Sequence, residues 1–145
     1  MRKIIVLMVG LVVLLFTACP EGDEPYNIRF DGVYRREIPE YPGFYTNLRF
    51  YEDEEETVIS RSTNSTVESL RNDSTFSKDG QYISKGTYSI NGNNISFQTT
   101  HSDGGTNYNG KIYRNKLILN VANKDDPTDS ANNLEFLFTQ VEFIY

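Results

Sequence analysis

The chain contains few of the residues on which metal and redox chemistry commonly depend. Its 145 residues include one cysteine, one histidine and no tryptophan. With one cysteine and one histidine, no His/Cys metal site can be assembled. His101 lies in the run His-Ser-Asp-Gly-Gly, which is typical of a turn, and its neighbours Ser102 and Asp103 cannot reach triad geometry from adjacent positions. We therefore expect that the protein is not an enzyme and that it binds neither a metal nor a cofactor.

Clustered positive charge is also missing. The chain has 14 Lys and Arg against 20 Asp and Glu, a formal net charge of −6. Binding to nucleic acid requires grouped cations opposite the phosphates, so we expect no nucleic-acid partner. The acidic runs at 52–56 and 123–130 lack the alternating ligands and central glycine of an EF-hand loop. They are interpreted as solvated turns.

The one long apolar run lies at the N terminus. Met1-Arg2-Lys3 precedes an apolar stretch over 4–16, and Thr17 and Ala18 are small. A positive start, a short apolar run and small residues are the layout of a secretory signal peptide. The run is shorter than the ~20 residues of a membrane-spanning helix. An uncleaved N-terminal transmembrane anchor is the alternative.

The lone cysteine directly follows this segment. Phe16-Thr17-Ala18-Cys19 resembles the lipobox of bacterial lipoproteins, with Phe16 where leucine is usual. The resemblance implies a diacylglycerol on the sulfur of Cys19, cleavage before it and acylation of the new amine. Two or three acyl chains anchor a protein stably. The expected organisation is a signal peptide over 1–18, a lipidated tether over 19–27 and a protein anchored in the cell envelope, with the outer membrane favoured.

The rest of the chain has the two-residue alternation of β-strands. Thr46, Leu48 and Phe50 share one face of a predicted strand. Asn91-Gly92 lies between two such runs and predicts a hairpin, since a type I′ turn needs positive φ. A second hairpin is expected to turn near Asn115. At most one short helix is expected near 65–71, because Ser65 and Glu68 have capping-box spacing there.

About eight such strands predict an all-β, antiparallel up-and-down meander over 28–145. Such a meander either closes into a barrel or stacks as a sandwich. Asp-Gly-Val-Tyr-Arg at 31–35 and the segments 48–60, 84–97, 108–119 and 135–143 together resemble lipocalin-like bacterial domains. The resemblance implies an eight-stranded barrel or half-barrel, sometimes with an apolar cavity. Where the family pattern has Asp-Gly in the first hairpin, this chain has the acidic run 52–56, so a longer turn is expected there.

Aromatic residues recur on the predicted inner faces of these strands. If the barrel is hollow, they line a pocket for a small hydrophobic ligand; if it is filled, they form its core. The first hypothesis is a non-catalytic, monomeric lipoprotein that binds a hydrophobic ligand or an envelope partner. The alternative is a structural or interaction module with a solid aromatic core and no ligand cavity. The candidate ligand-binding residues are Phe50, Tyr88, Phe97, Tyr108, Phe136 and Phe138.

Overall fold

The computed structural model of this chain describes residues 26–144, and these form an antiparallel barrel. Eight strands follow one another in chain order and close, β8 pairing with β1. This confirms the predicted all-β meander and resolves the choice between barrel and sandwich. Within 26–144, no helix has the length and apolar character needed to cross a membrane. The strands are β1 Gly32–Glu37, β2 Tyr45–Phe50, β3 Thr57–Thr63, β4 Ser84–Asn91, β5 Asn94–His101, β6 Gly104–Tyr113, β7 Lys116–Asn123 and β8 Ser130–Gln140.

The predicted hairpins form at the expected turns. β4 and β5 pair with Tyr88 opposite Phe97, and Gly92 between them has φ +60°, a left-handed value that glycine adopts readily. β6 and β7 pair from Tyr113 opposite Lys116, which places their turn at 114–115. The connection between β2 and β3 spans 51–56, confirming the longer turn expected at the acidic run.

The barrel interior is filled mainly by large apolar side chains. In a half-buried strand, every second residue points inward, and the inward residues of all eight strands meet in one cluster. The buried members are Ile28, Tyr34, Leu48, Phe50, Val58, Tyr88, Ile95, Phe97, Tyr108, Ile112, Leu117, Leu119 and Phe136. We call this cluster the inner core.

One end of the barrel is covered by the segment that precedes β1. The alternation of Ile28 and Phe30 predicts a strand from residue 28, but β1 begins only at Gly32. Ile28 is buried and Phe30 packs against the inner core. The backbone N–H of Tyr26 donates to Oδ1 of Asn93, at 2.7 Å, in the β4–β5 turn. The segment 26–31 therefore forms a strap across this end, which we call the closed end.

A second apolar cluster lies outside the barrel, on the outer face of β1 to β3. Val33 and Ile59 point away from the inner core and are fully buried under Leu70 and Phe76. Leu70 belongs to the short helix α1, Val67–Arg71, and Phe76 ends a 3-10 turn, Ser74–Phe76. We call residues 64–83 the cover segment and the cluster the outer core.

Within the cover segment, the helix α1 confirms the expected position, but its cap differs from the prediction. The N-cap is Thr66, whose hydroxyl accepts from the N–H of Ser69 at 3.2 Å. Ser65 lies before the cap instead, with its hydroxyl 2.8 Å from Oγ1 of Thr63 at the end of β3. The chain therefore enters the helix one residue later than the capping-box spacing predicts.

Ion pairs hold the cover segment to the barrel. Nη1 of Arg61 on β3 lies 2.6 Å from a carboxylate oxygen of Asp73. Nζ of Lys78 lies 2.8 Å from Oδ2 of Asp53 in the β2–β3 turn. The hydrogen bond from Lys78, with further ones from Thr57, lowers the pKa of Asp53 to about 2. Both pairs are partly exposed, and such surface pairs add little to stability, so most of the stability of this contact comes from the outer core.

Candidate functional site

The end of the barrel opposite the strap holds an open cavity of about 730 Å³. We call it the mouth. Its wall is formed where β2, β3, β4, β5, β6 and β7 reach this end. The lining residues are Thr46, Ser60, Arg61, Ser62, Tyr82, Ser84, Thr99, His101, Asp103, Gly104, Gly105, Thr106, Tyr108, Val121, Asn123 and Asp125. The cavity is therefore lined mostly by hydroxyl, amide and charged groups.

The hydroxyl groups of the mouth are placed there by the two-residue alternation of side chains along each strand. Thr99 comes two residues after Phe97, and Thr106 two residues before Tyr108, so each shares the inward face of its aromatic neighbour. Phe97 and Tyr108 belong to the inner core. Along each strand, the inward side chains thus change from aromatic to hydroxyl-bearing towards the mouth. The same holds for Thr46, Ser60, Ser62 and Ser84, which continue the inward faces of β2, β3 and β4.

Apolar groups also border the mouth, next to its hydroxyls. Tyr108 and Val121 pair across β6 and β7, and both line the cavity. Oγ of Ser60 lies 3.5 Å from the phenolic oxygen of Tyr108, and Thr99 is 1% exposed. A molecule entering here meets hydroxyl donors and acceptors beside an apolar surface. That combination suits a small amphiphilic ligand rather than a purely hydrocarbon one.

An exposed tyrosine stands at the rim of the mouth. Tyr82 is 79% exposed and lines the cavity. Its backbone has φ +62°, a conformation that is rare for a bulky residue. Sequence reasoning missed Tyr82, because its surroundings, Gly-Gln-Tyr-Ile at 80–83, give no periodic signal. An exposed ring in this position can act as a platform for a ligand in the mouth.

The predicted ligand-binding aromatics lie in one packed group. The ring of Phe50 lies 5.3 Å from that of Tyr88 and 5.4 Å from that of Phe97, both edge to face. Phe97 in turn stacks on Tyr108 at 4.5 Å. Phe136 is 2% exposed, and Phe138 packs against the same core. Of these six residues, Tyr108 alone also lines the mouth, so the other five occupy the filled part of the barrel.

His101 is the last residue of β5, at the rim, and its neighbours Ser102 and Asp103 lie in the β5–β6 turn. Oγ of Ser102 lies 3.0 Å from Nδ1 of His101, and Oδ2 of Asp103 lies 4.0 Å from the same nitrogen. In a catalytic triad, the serine and the aspartate contact different ring nitrogens, so this group does not have triad geometry. Among residues 26–144, no three or more His, Cys, Asp or Glu side chains are grouped as a metal site would require.

The predicted lipid-attachment residue, Cys19, and the predicted signal peptide over 1–18 lie outside the described residues, as does most of the predicted tether. Comparison with known proteins adds no family to these findings. No family model matches the chain, and neither a curated protein nor a solved structure matches it.

Proposed function

We propose that the chain is a lipid-anchored, non-catalytic binding protein of the cell envelope, whose barrel holds a small amphiphilic molecule in the mouth. The observation that supports ligand binding is the mouth itself. It is an open cavity of about 730 Å³ in which hydroxyl groups stand beside Tyr108 and Val121. The anchor part rests on the signal-peptide layout and on the lipobox resemblance at Cys19.

The position of the strap supports a definite orientation under this proposal. Tyr26 lies at the closed end, hydrogen-bonded to Asn93. Residues 19–25 connect it to the proposed lipid, and seven residues span at most about 25 Å when fully extended. The closed end therefore stays near the membrane, and the mouth opens on the opposite side. A ligand would then reach the mouth from the aqueous phase rather than directly from the bilayer.

The anchor is tested by replacing Cys19 with serine in the full chain. We expect the wild-type protein to sediment with membranes and to incorporate an alkyne-labelled fatty acid supplied to the cells. Cys19→Ser should lose the label and move to the soluble fraction, since the acyl chains supply the membrane affinity. A variant that stays membrane-bound after an alkaline wash would contradict the lipoprotein assignment.

The ligand is tested by native mass spectrometry on protein purified from its own host. We expect an added mass that disappears after solvent extraction and returns with envelope extract. Tyr82→Ala should reduce its occupancy without unfolding the barrel, because Tyr82 is exposed. Tyr41→Ala is the matched control, since Tyr41 is 66% exposed in the β1–β2 connection at the same end but does not line the cavity.

The second candidate function is an interaction module with a solid core. The observation that favours it is the ring-to-ring packing of Phe50, Tyr88, Phe97 and Tyr108, which fills the middle of the barrel with protein. A bare mass before and after addition of envelope extract would support this function over ligand binding. The exposed acidic turn at 52–56 would then be the first surface to test in pull-down experiments.

A further inference from the structure

The outer face of β4 to β8 carries a second polar hollow, separate from the mouth. Its volume is about 560 Å³, and a shallower hollow of about 450 Å³ adjoins it and shares some of its lining. The side chains that point into it come from outward positions of neighbouring strands. We call this surface the outer polar face, and define it by Ser89, Ser96, Asn109, Lys111, Asn120 and Asn133.

Neighbouring strands place these groups in a continuous row. Ser89 is opposite Ser96, Ser96 is opposite Asn109, and Asn109 is opposite Asn120. Directly opposed residues on paired strands have Cβ atoms about 4.5–5.5 Å apart. The row therefore presents a hydroxyl or amide group at a regular spacing across four strands. Such a row can contact several polar groups of one extended ligand at the same time.

Hydrogen bonds within the row hold its amides in fixed orientations. Nδ2 of Asn120 donates to Oδ1 of Asn109 at 3.3 Å. The backbone N–H of Asn133 donates to Oδ1 of Asn120 at 3.0 Å. These bonds use the Oδ1 atom of Asn109 and not its Nδ2 hydrogens. Because Asn109 is exposed, those hydrogens can be donated to a ligand. Pre-oriented amides lose less conformational entropy when they bind a ligand.

Charge on this face selects the class of ligand. Among residues 26–144, Lys111 is the one charged side chain that lines the hollow, in a chain with 20 acidic and 14 basic residues. A site for phosphate or another polyanion would need several cations, and a cation site would need carboxylate or carbonyl oxygens around one point. An array of uncharged donors and acceptors instead matches a neutral ligand rich in hydroxyl groups.

An apolar patch completes the site. Tyr113, 37% exposed, and Ile118 also line the hollow, beside the row of amides. Sugar rings have an apolar C–H face as well as hydroxyl edges, and an aromatic ring next to polar groups accommodates both. We propose that the outer polar face binds a neutral oligosaccharide, with the Ser/Asn row contacting its hydroxyl groups and Tyr113 packing against a ring.

The test is a titration of the purified protein followed by ¹⁵N NMR. The probes are maltoheptaose, cellohexaose, laminarihexaose and mannohexaose, each at millimolar concentration. We expect at least one probe to shift the side-chain amide signals of Asn109, Asn120 and Asn133 in a saturable way. Asn109→Ala should weaken that binding about tenfold, the effect of about 1.4 kcal/mol of lost hydrogen bonding.

Two further variants separate the site from general effects. Ser96→Lys places a long side chain in the hollow at an exposed position and should abolish the shifts while leaving the fold intact. Asn64→Ala removes an exposed amide from the cover segment and should leave the affinity unchanged. If no probe shifts these signals, or if Asn64→Ala weakens binding as much as Asn109→Ala, the proposal is wrong. Signals that move with protein concentration instead would identify the face as a contact between copies of the chain and would also overturn it.

Discussion

The cover segment provides a sharp test of how this fold is stabilised. Phe76 lies outside the barrel, at the end of a 3-10 turn in a segment that has little regular structure. If that segment were an ordinary surface loop, replacing Phe76 would have little effect. The ring is 0% exposed, however, and it packs with Val33 on β1 and Ile59 on β3 in the outer core. We therefore predict that Phe76→Ala destabilises the whole domain.

The size of the effect follows from the buried area. A phenylalanine buries about 150–250 Å², and at about 25 cal/mol per Å² this corresponds to about 4–6 kcal/mol. Part of the loss is recovered when the cover segment relaxes into the space left by the ring, and Phe→Ala substitutions in cores cost about 3–5 kcal/mol. Since domains have total stabilities of about 5–15 kcal/mol, the variant should still fold in the absence of denaturant.

Urea unfolding measures this difference. Far-UV circular dichroism follows the strands, and near-UV circular dichroism follows the packing of the ten tyrosines in a chain that has no tryptophan. Val67→Ala is the matched control, since Val67 is in the same segment but 38% exposed, and it should change stability by no more than about 0.5 kcal/mol. A loss of less than about 1 kcal/mol for Phe76→Ala would refute the reasoning. It would mean that the cover segment is a loop that the barrel does not need.

Two other substitutions test the barrel and the ion pairs. Gly86→Ala should destabilise the protein by about 1–3 kcal/mol, because a Cβ at Gly86 would overlap the carbonyl oxygen of Gln98 on β5; an unchanged urea midpoint would show that β4 can shift away from β5. Asp53→Asn should cost up to about 1 kcal/mol at neutral pH. Because the pKa of Asp53 falls from its ordinary 3.8 to about 2 through its bond with Lys78, its contribution is complete above pH 3.8 and fades as the pH falls towards 2. The stability difference between Asp53→Asn and wild type should therefore shrink over that range, and a constant difference would rule out the pair as its cause.

Alternation along the chain was enough to predict the strands and the inner core. Phe50, Tyr88 and Phe97 are correctly placed inside because each lies in a run of strict two-residue period, and Asn91-Gly92 marks the turn between two of those runs. The same signal gave a wrong prediction in the segment that precedes β1. Ile28 and Phe30 alternate as a strand would, yet an extended strap that lays every second side chain against the barrel has the same period.

The outer core could not be predicted from alternation, because β1 and β3 are covered on both sides. Val33 and Tyr34 are consecutive and both buried, and so are Val58 and Ile59. Consecutive apolar residues in a short strand indicate burial on both faces, but they do not say which segment supplies the second layer. Here it comes from the non-periodic residues 64–83 and from the C-terminal residues Val141 and Phe143.

The mouth was hidden from sequence reasoning for a related reason. Parity places Thr99 and Thr106 on inward faces, but it does not say which end of the barrel is open. The strap decides that, because it covers the end where the apolar inward residues lie and leaves the hydroxyl-bearing end free. Hydroxyls at inward positions near strand ends are therefore a usable signal only once the covered end is known.

The two proposed binding surfaces differ in position and in the chemical class of the ligand that each would bind. The mouth lies at the far end of the barrel from the strap, whereas the outer polar face extends to Asn91 and Tyr113, beside the turns of the closed end. Mutations in sites that share no partners act additively. Tyr82→Ala should therefore leave the oligosaccharide titration of Asn109 unchanged, and Ser96→Lys should leave the mass bound in the mouth unchanged. Cross-effects in either direction would mean that both variants act through the folding of the barrel, and this would overturn the assignment of two independent sites.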